Sequence, residues 1–207
     1  MQNNEHFDLW SKNYDRDVGV SDDNNEYPFA GYKKVLGDIY NKIMQKSPTK
    51  VLDIGVGTGT LSHKLYEHGN HITGIDFSDE MLSISREKMP NAEFIKWDFT
   101  KGLPENLSKF DFIISTYALH HLTDDEKREF IPLLLERLND DGIVIIGDVG
   151  FLDRESLEAC KTAAGDYWDD DEIYFVFCEL QSRLSDVCHM EFEQFSHCSG
   201  ILMVRPR

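Results

Sequence analysis

Five short apolar segments recur along the chain with helix-period stretches between them. That alternation restricts the fold more than any other feature of the sequence. The segments are Lys50–Ile54 (KVLDI), His71–Asp76 (HITGID), Ala92–Trp97 (AEFIKW), Phe110–Ser115 (FDFIIS) and Ile143–Val149 (IVIIGDV). Strands this continuously apolar are buried on both faces, as in parallel sheets covered by helices. Right-handed crossovers then wind the sheet doubly.

The intervening stretches carry helix signals. Over residues 30–46, Tyr32, Val35, Leu36, Ile39, Tyr40 and Ile43 recur at three- and four-residue steps, and Ser47-Pro48 ends the run. Leu61–His68 predicts a second helix stopped by Gly69. Ser78 can cap a third that runs to about Met89. Thr123-Asp124-Asp125-Glu126 has the form of a capping box. Its helix is expected to continue through Phe130, Ile131, Leu134 and Leu138, with Pro132 as a kink point, before a turn at Asn139-Asp140-Asp141-Gly142.

The last third predicts helices near Arg154–Ala164 and Asp171–Leu184, then strands His189–Phe195 and Ile201–Arg205. The short joint between those strands implies an antiparallel hairpin. The fold class expected is therefore α/β: a doubly wound, mostly parallel, seven-stranded sheet with helices on both faces and a C-terminal antiparallel hairpin. Residues 1–46 read as an N-terminal helical arm, and residues 47–207 as the sheet domain. The aromatics of the arm either cover a core edge or form a lid over a ligand cleft.

Charge narrows the partners. Acidic residues outnumber basic ones 38 to 21, for a formal net charge of -17. That field opposes nucleic acid and anionic membranes and favours a small-molecule substrate. No apolar run approaches membrane-spanning length, and the N-terminus lacks a signal-peptide pattern, so a cytoplasmic setting is expected. Cys160, Cys178, Cys188 and Cys198 lack metal-ligand spacing and read as reduced thiols; no metal is expected. Monomer and homodimer both remain open.

The turn after the first strand carries the chemistry. A glycine-rich turn between strand and helix brings backbone close to a ligand. Here Gly55, Gly57 and Gly59 form G-x-G-x-G, and Thr60 stands where a dinucleotide fingerprint has its third glycine. Asp53 precedes the turn. A carboxylate there is unfavourable beside a pyrophosphate but suits a ligand that carries an ammonium.

Val51-Leu52-Asp53-Ile54-Gly55-Val56-Gly57-Thr58-Gly59 resembles the first motif of class I S-adenosylmethionine-dependent methyltransferases. The resemblance covers roughly residues 48–207, with firm motifs between 51 and 122. It implies S-adenosylmethionine as cofactor and methyl transfer as activity. It implies that Asp76 bonds the ribose hydroxyls, with Phe77 and Met81 as apolar neighbours of adenine or ribose. Asp98 would bond the adenine amino group, beside Phe99. Ser115-Thr116-Tyr117-Ala118-Leu119-His120-His121-Leu122 is similar to the family's S-x-x-x-L-H-H-L segment, which makes Ser115, Thr116 and Tyr117 candidate contacts to the methionyl part. Trp10-Ser11-Lys12-Asn13-Tyr14-Asp15 resembles the W-x-x-x-Y-D opening of many small bacterial members, where the tyrosine leans over the cofactor; Tyr14 is the candidate lid residue.

Methyl transfer from a sulfonium is a one-step displacement that depends mainly on orientation and exclusion of water. Only an acceptor that must lose a proton needs a base, for which His120 and His121 are the candidates. Two other readings share the motifs. One is a non-catalytic S-adenosylmethionine-binding module; the other is a nicotinamide-dependent oxidoreductase, opposed by Asp53 and Thr60. The acidic run Asp166–Glu172 fits either a solvated loop or a surface for a cationic acceptor.

Overall fold

A computed structural model describes residues 21–207; Tyr14 and the rest of residues 1–20 lie outside the described part. The predicted alternation is realised. Strands β1 (Lys50–Ile54), β2 (His71–Asp76), β3 (Glu93–Lys96), β4 (Phe110–Thr116) and β5 (Leu138–Phe151) pair in parallel, and β7 (Cys188–Gln194) and β8 (Ser199–Pro206) form the antiparallel hairpin. The order is β3-β2-β1-β4-β5-β8-β7, with β8 antiparallel to β5. The chain reverses direction across the sheet between β1 and β4, the place where such sheets open a crevice at the strands' carboxyl ends.

The helices are α1 (Tyr32–Met44), α2 (Thr60–Glu67), α3 (Asp79–Lys88), α4 (Asp124–Leu135), α5 (Arg154–Ala164) and α6 (Phe177–Leu184). Alternate strand residues feed two cores. Val51, Phe112, Ile114 and Ile145 pack with α1 and α2 on one face. Leu52, Ile113, Val144 and Ile146 pack with α4 and α6 on the other. A period of two along buried strands produces this division.

The local signals work as expected at several ends. Ser78 accepts from the Met81 amide to start α3, and Thr123 and Glu126 complete the capping box of α4. Pro132 sits inside α4 without ending it.

Three expectations change. First, α4 stops at Leu135, and Leu138 opens β5 rather than closing the helix. Second, the expected turn Asn139-Asp140-Asp141-Gly142 is a bulge within β5. Phe110 pairs with Leu138 and Phe112 with Ile143, and Asp141 takes a left-handed φ of 59°. Third, the helix expected from Asp171 begins only at Phe177. The preceding residues form a loop and the two-residue strand β6 (Phe175–Val176), parallel to the end of β5. Phe175 fills the space over Gly150 there, and tertiary packing overrides helix period.

The described part of the arm is tied to the hairpin. The Ala30 carbonyl accepts from the hydroxyls of Ser196 and Ser199, each at 2.6 Å. Tyr27 stacks on Trp168 with centroids 5.1 Å apart.

Candidate active site

The turn after β1 is shaped by its glycines. Gly55, Gly57 and Gly59 all hold left-handed φ, at 72°, 53° and 74°. A Cβ on Gly55 would lie 2.5 Å from the Ala118 methyl, so the turn can approach the loop after β4 only as glycine. A Cβ on Gly59 would lie 2.6 Å from Met89 Cε and 2.9 Å from Ser85 Oγ, so this glycine lets α2 start against α3. Asp76 locks the turn from β2. One carboxylate oxygen accepts from the Gly57 amide at 2.8 Å and the other from the Ser78 amide at 2.9 Å.

Beyond the turn lies a solvent-open cleft, with an enclosed volume of about 110 Å³. It brings together Asp53, Gly55, Gly57 and Asp76, the apolar Phe77, Met81 and Phe99, and the loop residues Thr116, Tyr117 and His121. Gly59, Asp98, Ser115 and His120 are not part of its wall. Gly59 packs on α3. Ser115 is buried and donates to the Ile54 carbonyl at 2.9 Å, which ties β4 to β1. Asp98 caps a 3-10 turn at Phe99–Lys101, accepting from Thr100 Oγ at 2.6 Å and pairing with Lys101 at 2.9 Å. Burial pushes the Asp98 carboxyl up, but the bonds from Thr100 and Lys101 outweigh it and hold it below its usual range.

Sequence reasoning did not single out Tyr32, Thr58 or Leu61, which also line the cleft. Tyr32 belongs to the apolar stripe of α1, and nothing in that stripe distinguishes a cleft residue from a core one. Asp148 was missed as well, although an acid inside the apolar run of β5 must find a partner and so carried a signal.

Asp53 is the most constrained group. It is buried; its Oδ2 accepts from Ser62 Oγ at 2.6 Å, while Oδ1 is buried with no partner. Burial pushes its carboxyl up to about 7, opposed by the Ser62 hydrogen bond and helped by the charge of Asp76. Burial likewise raises Asp76, against the bonds from Ser78, Gly57 and Phe77.

The wall at β4 is aromatic. Tyr117 has a left-handed φ of 50°, and its amide donates to the Gly147 carbonyl at 2.8 Å. Its ring meets those of Tyr32 and Phe29 at 5.0 and 5.4 Å. Burial, then the charge of Asp148, hold its phenol well above the usual value.

Behind that wall runs a polar chain. His120 Nδ1 is 2.7 Å from Asp148 Oδ1, and its Nε2 is 3.4 Å from Glu172 Oε1. Glu172 accepts from the Tyr174 hydroxyl at 2.6 Å, and Tyr174 pairs with the Tyr27 hydroxyl of the arm. Lys127, buried in α4, donates to the carbonyls of Leu122 and Ile173; burial lowers it to about 8.

A methyltransferase-domain family model matches residues 51–142, the segment that holds the turn, Asp76, Asp98 and the paired histidines. An uncharacterized methyltransferase of Anoxybacillus flavithermus is 37% identical over 153 residues, covering 74% of this chain and 70% of the relative. One from Bacillus mycoides is 39% identical over 159 residues, covering 76% and 72%. The chain therefore belongs to the methyltransferase family. Solved structures share the fold. A DhpI chain in complex with SAH has a TM-score of 0.70 at 19% identity over 98% of this chain and 94% of that one. An S-adenosylmethionine-dependent methyltransferase from Clostridium acetobutylicum has a TM-score of 0.71 at 16% identity over 93% and 98%.

Proposed function

We propose that the cleft binds S-adenosylmethionine and that the enzyme passes its methyl group to a small-molecule acceptor by direct displacement. The observation that carries this reading is Asp53 Oδ1, a buried carboxylate oxygen without a partner at the cleft wall. An unsatisfied buried acceptor costs about 1–3 kcal/mol, which an ammonium donor recovers. Asp53 would therefore hold the methionyl ammonium, and Asp76, with acceptor capacity left beside its amide bonds, the ribose hydroxyls. Phe77, Met81 and Phe99 would face the adenine. The fold's likeness to a DhpI chain solved with SAH supports the same donor.

When bound, S-adenosylmethionine supplies a methyl group on a positively charged sulfur, already activated for displacement. The chain's own work is orientation and exclusion of water. Thr116, Tyr117 and His121 line the cleft on the loop after β4, where an acceptor would meet the methyl group. The arm would act as a lid, held by the Ala30 and Tyr27 contacts. An acceptor other than nucleic acid fits the excess of acidic over basic residues, 38 to 21. The four free thiols fit a reducing, cytoplasmic compartment.

The test is calorimetry on the pure protein with S-adenosylmethionine and S-adenosylhomocysteine, followed by a panel of acceptors scored for release of S-adenosylhomocysteine. Micromolar binding of both ligands is expected. Absence of binding by either one sinks the reading.

A further inference from the structure

His120 and His121 stand side by side on the 3-10 turn after β4, with ring centroids 4.4 Å apart and planes 70° to one another. Of the two, His121 lines the cleft. His120 is buried behind it with both ring nitrogens facing carboxylates: Asp148 of β5 at 2.7 Å and Glu172 of the loop before β6 at 3.4 Å. Asp148 also accepts from the His120 amide at 3.3 Å, which fixes the turn itself. Two imidazoles in ring contact disfavour a second proton, because like charges at that distance repel.

We propose that His120 is a positioning residue: gripped between Asp148 and Glu172, it takes the one proton the pair holds and leaves the cleft-lining His121 neutral. The proposal rests on the donor assigned above. That donor carries a sulfonium, and its product is a neutral thioether. A protonated ring on the cleft wall would repel the donor and not the product. Placing the charge on His120 removes that penalty.

The surrounding charges agree. His120 is disfavoured as a cation by burial and by Lys127 of α4, but Asp148 and Glu172 prevail and raise it. His121 is lowered to about 4, by burial first and by His120 second, with Lys127 adding to the effect; Asp148 and Asp169 oppose it and lose. The same arrangement removes His120 from consideration as the base, since its ring is already committed to two carboxylates.

Two measurements test the proposal. Histidine-labelled full-length protein followed by NMR should show His120 titrating above the usual value of about 6.5, and His121 still unprotonated at pH 5. The reverse order overturns the proposal. Calorimetry with both ligands gives the second. Asp53 acts on both through the ammonium they share, so the greater part of its titration cancels in their affinity ratio. In the wild type that ratio should stay constant between pH 8 and 6. His120→Asn removes the competing ring and leaves Asp148, with Asp169, to draw the proton onto His121, so the preference for the sulfonium should fall about tenfold over that range. Adding His121→Asn should flatten it again. A flat ratio in His120→Asn, or equal loss of both ligands, overturns the proposal. Should that variant not fold, the wild-type titration decides. If neither ligand binds at any pH, the donor assignment fails, while the titration still reports where the proton sits.

Discussion

The donor side of the cleft, at the ends of β1 and β2, is walled by main chain and by two buried carboxylates from one strand–helix–strand unit. The opposite side, at the ends of β4 and β5, is walled by rings whose support comes from far along the chain: Tyr27, Lys127, Asp148, Glu172 and Tyr174. On the donor side each carboxylate oxygen has a local amide or hydroxyl, except Asp53 Oδ1, which is buried without a partner. On the other side His120, Asp148, Glu172 and Tyr174 bond to one another, while the Tyr117 hydroxyl is buried without a hydrogen-bond partner. One half leaves a carboxylate oxygen unsatisfied; the other is tied together by contacts between distant parts of the chain.

Substitutions can break this contrast. The largest effect is expected from Asp76→Ala, which removes the acceptor for the amides of Gly57, Phe77 and Ser78 and the proposed ribose contact together. At about 3 kcal/mol, affinity for S-adenosylmethionine should fall roughly 150-fold by calorimetry. A loss below tenfold would mean that the turn holds itself.

Gly59→Ala should cost about 2 kcal/mol of stability in urea unfolding, because the new methyl meets Met89 and Ser85 at a positive φ. Gly69→Ala, with an equally positive φ of 84° but open space around it, should cost about half as much. Equal losses would assign the effect to backbone strain alone.

Asp53→Asn separates stability from binding. The folded protein without ligand holds the Asp53 proton up to about pH 7, whereas the unfolded chain releases it near 3.9. Stability therefore falls as pH rises from about 4 to 7 and stays reduced above that. The asparagine variant should be more stable than the wild type at pH 8, by about 1–3 kcal/mol, and equal to it near pH 4. It should also lose about tenfold in affinity at pH 8. A variant that is less stable at pH 8 would place the charge of Asp53 among the groups that hold the fold.

The smallest effect belongs to Asp98→Ala. Its carboxylate is spent on Thr100 and Lys101 at the rim, so affinity should change less than about threefold. A hundredfold loss would mean that the carboxylate turns inward when adenine binds.

The donor half was readable because its signals are local. Five strands, the glycine positions, Asp53, Asp76 and the caps at Ser78 and Thr123 each depend on a few neighbouring residues. The reading failed where distant packing decides. Asp171–Leu184 has helix period, yet Phe175 and Val176 pair with β5 over Gly150. Asn139–Gly142 has turn composition, yet it bulges inside a strand because Leu138 must pair with Phe110. The paired histidines looked equivalent, and only their surroundings distinguish them.

The sequence by itself determined a doubly wound sheet and a glycine turn suited to a positively charged donor, because strand burial, left-handed φ and a strand-end acid are written in adjacent residues. Tertiary structure alone decided that Ser115 and Gly59 support the cleft from outside it. It also decided that Tyr32 belongs to the wall, and that His120 lies between Asp148 and Glu172 while His121 lines the cleft. Those outcomes depend on which side chains meet across the fold, and contact between residues far apart in the chain leaves no local pattern to read.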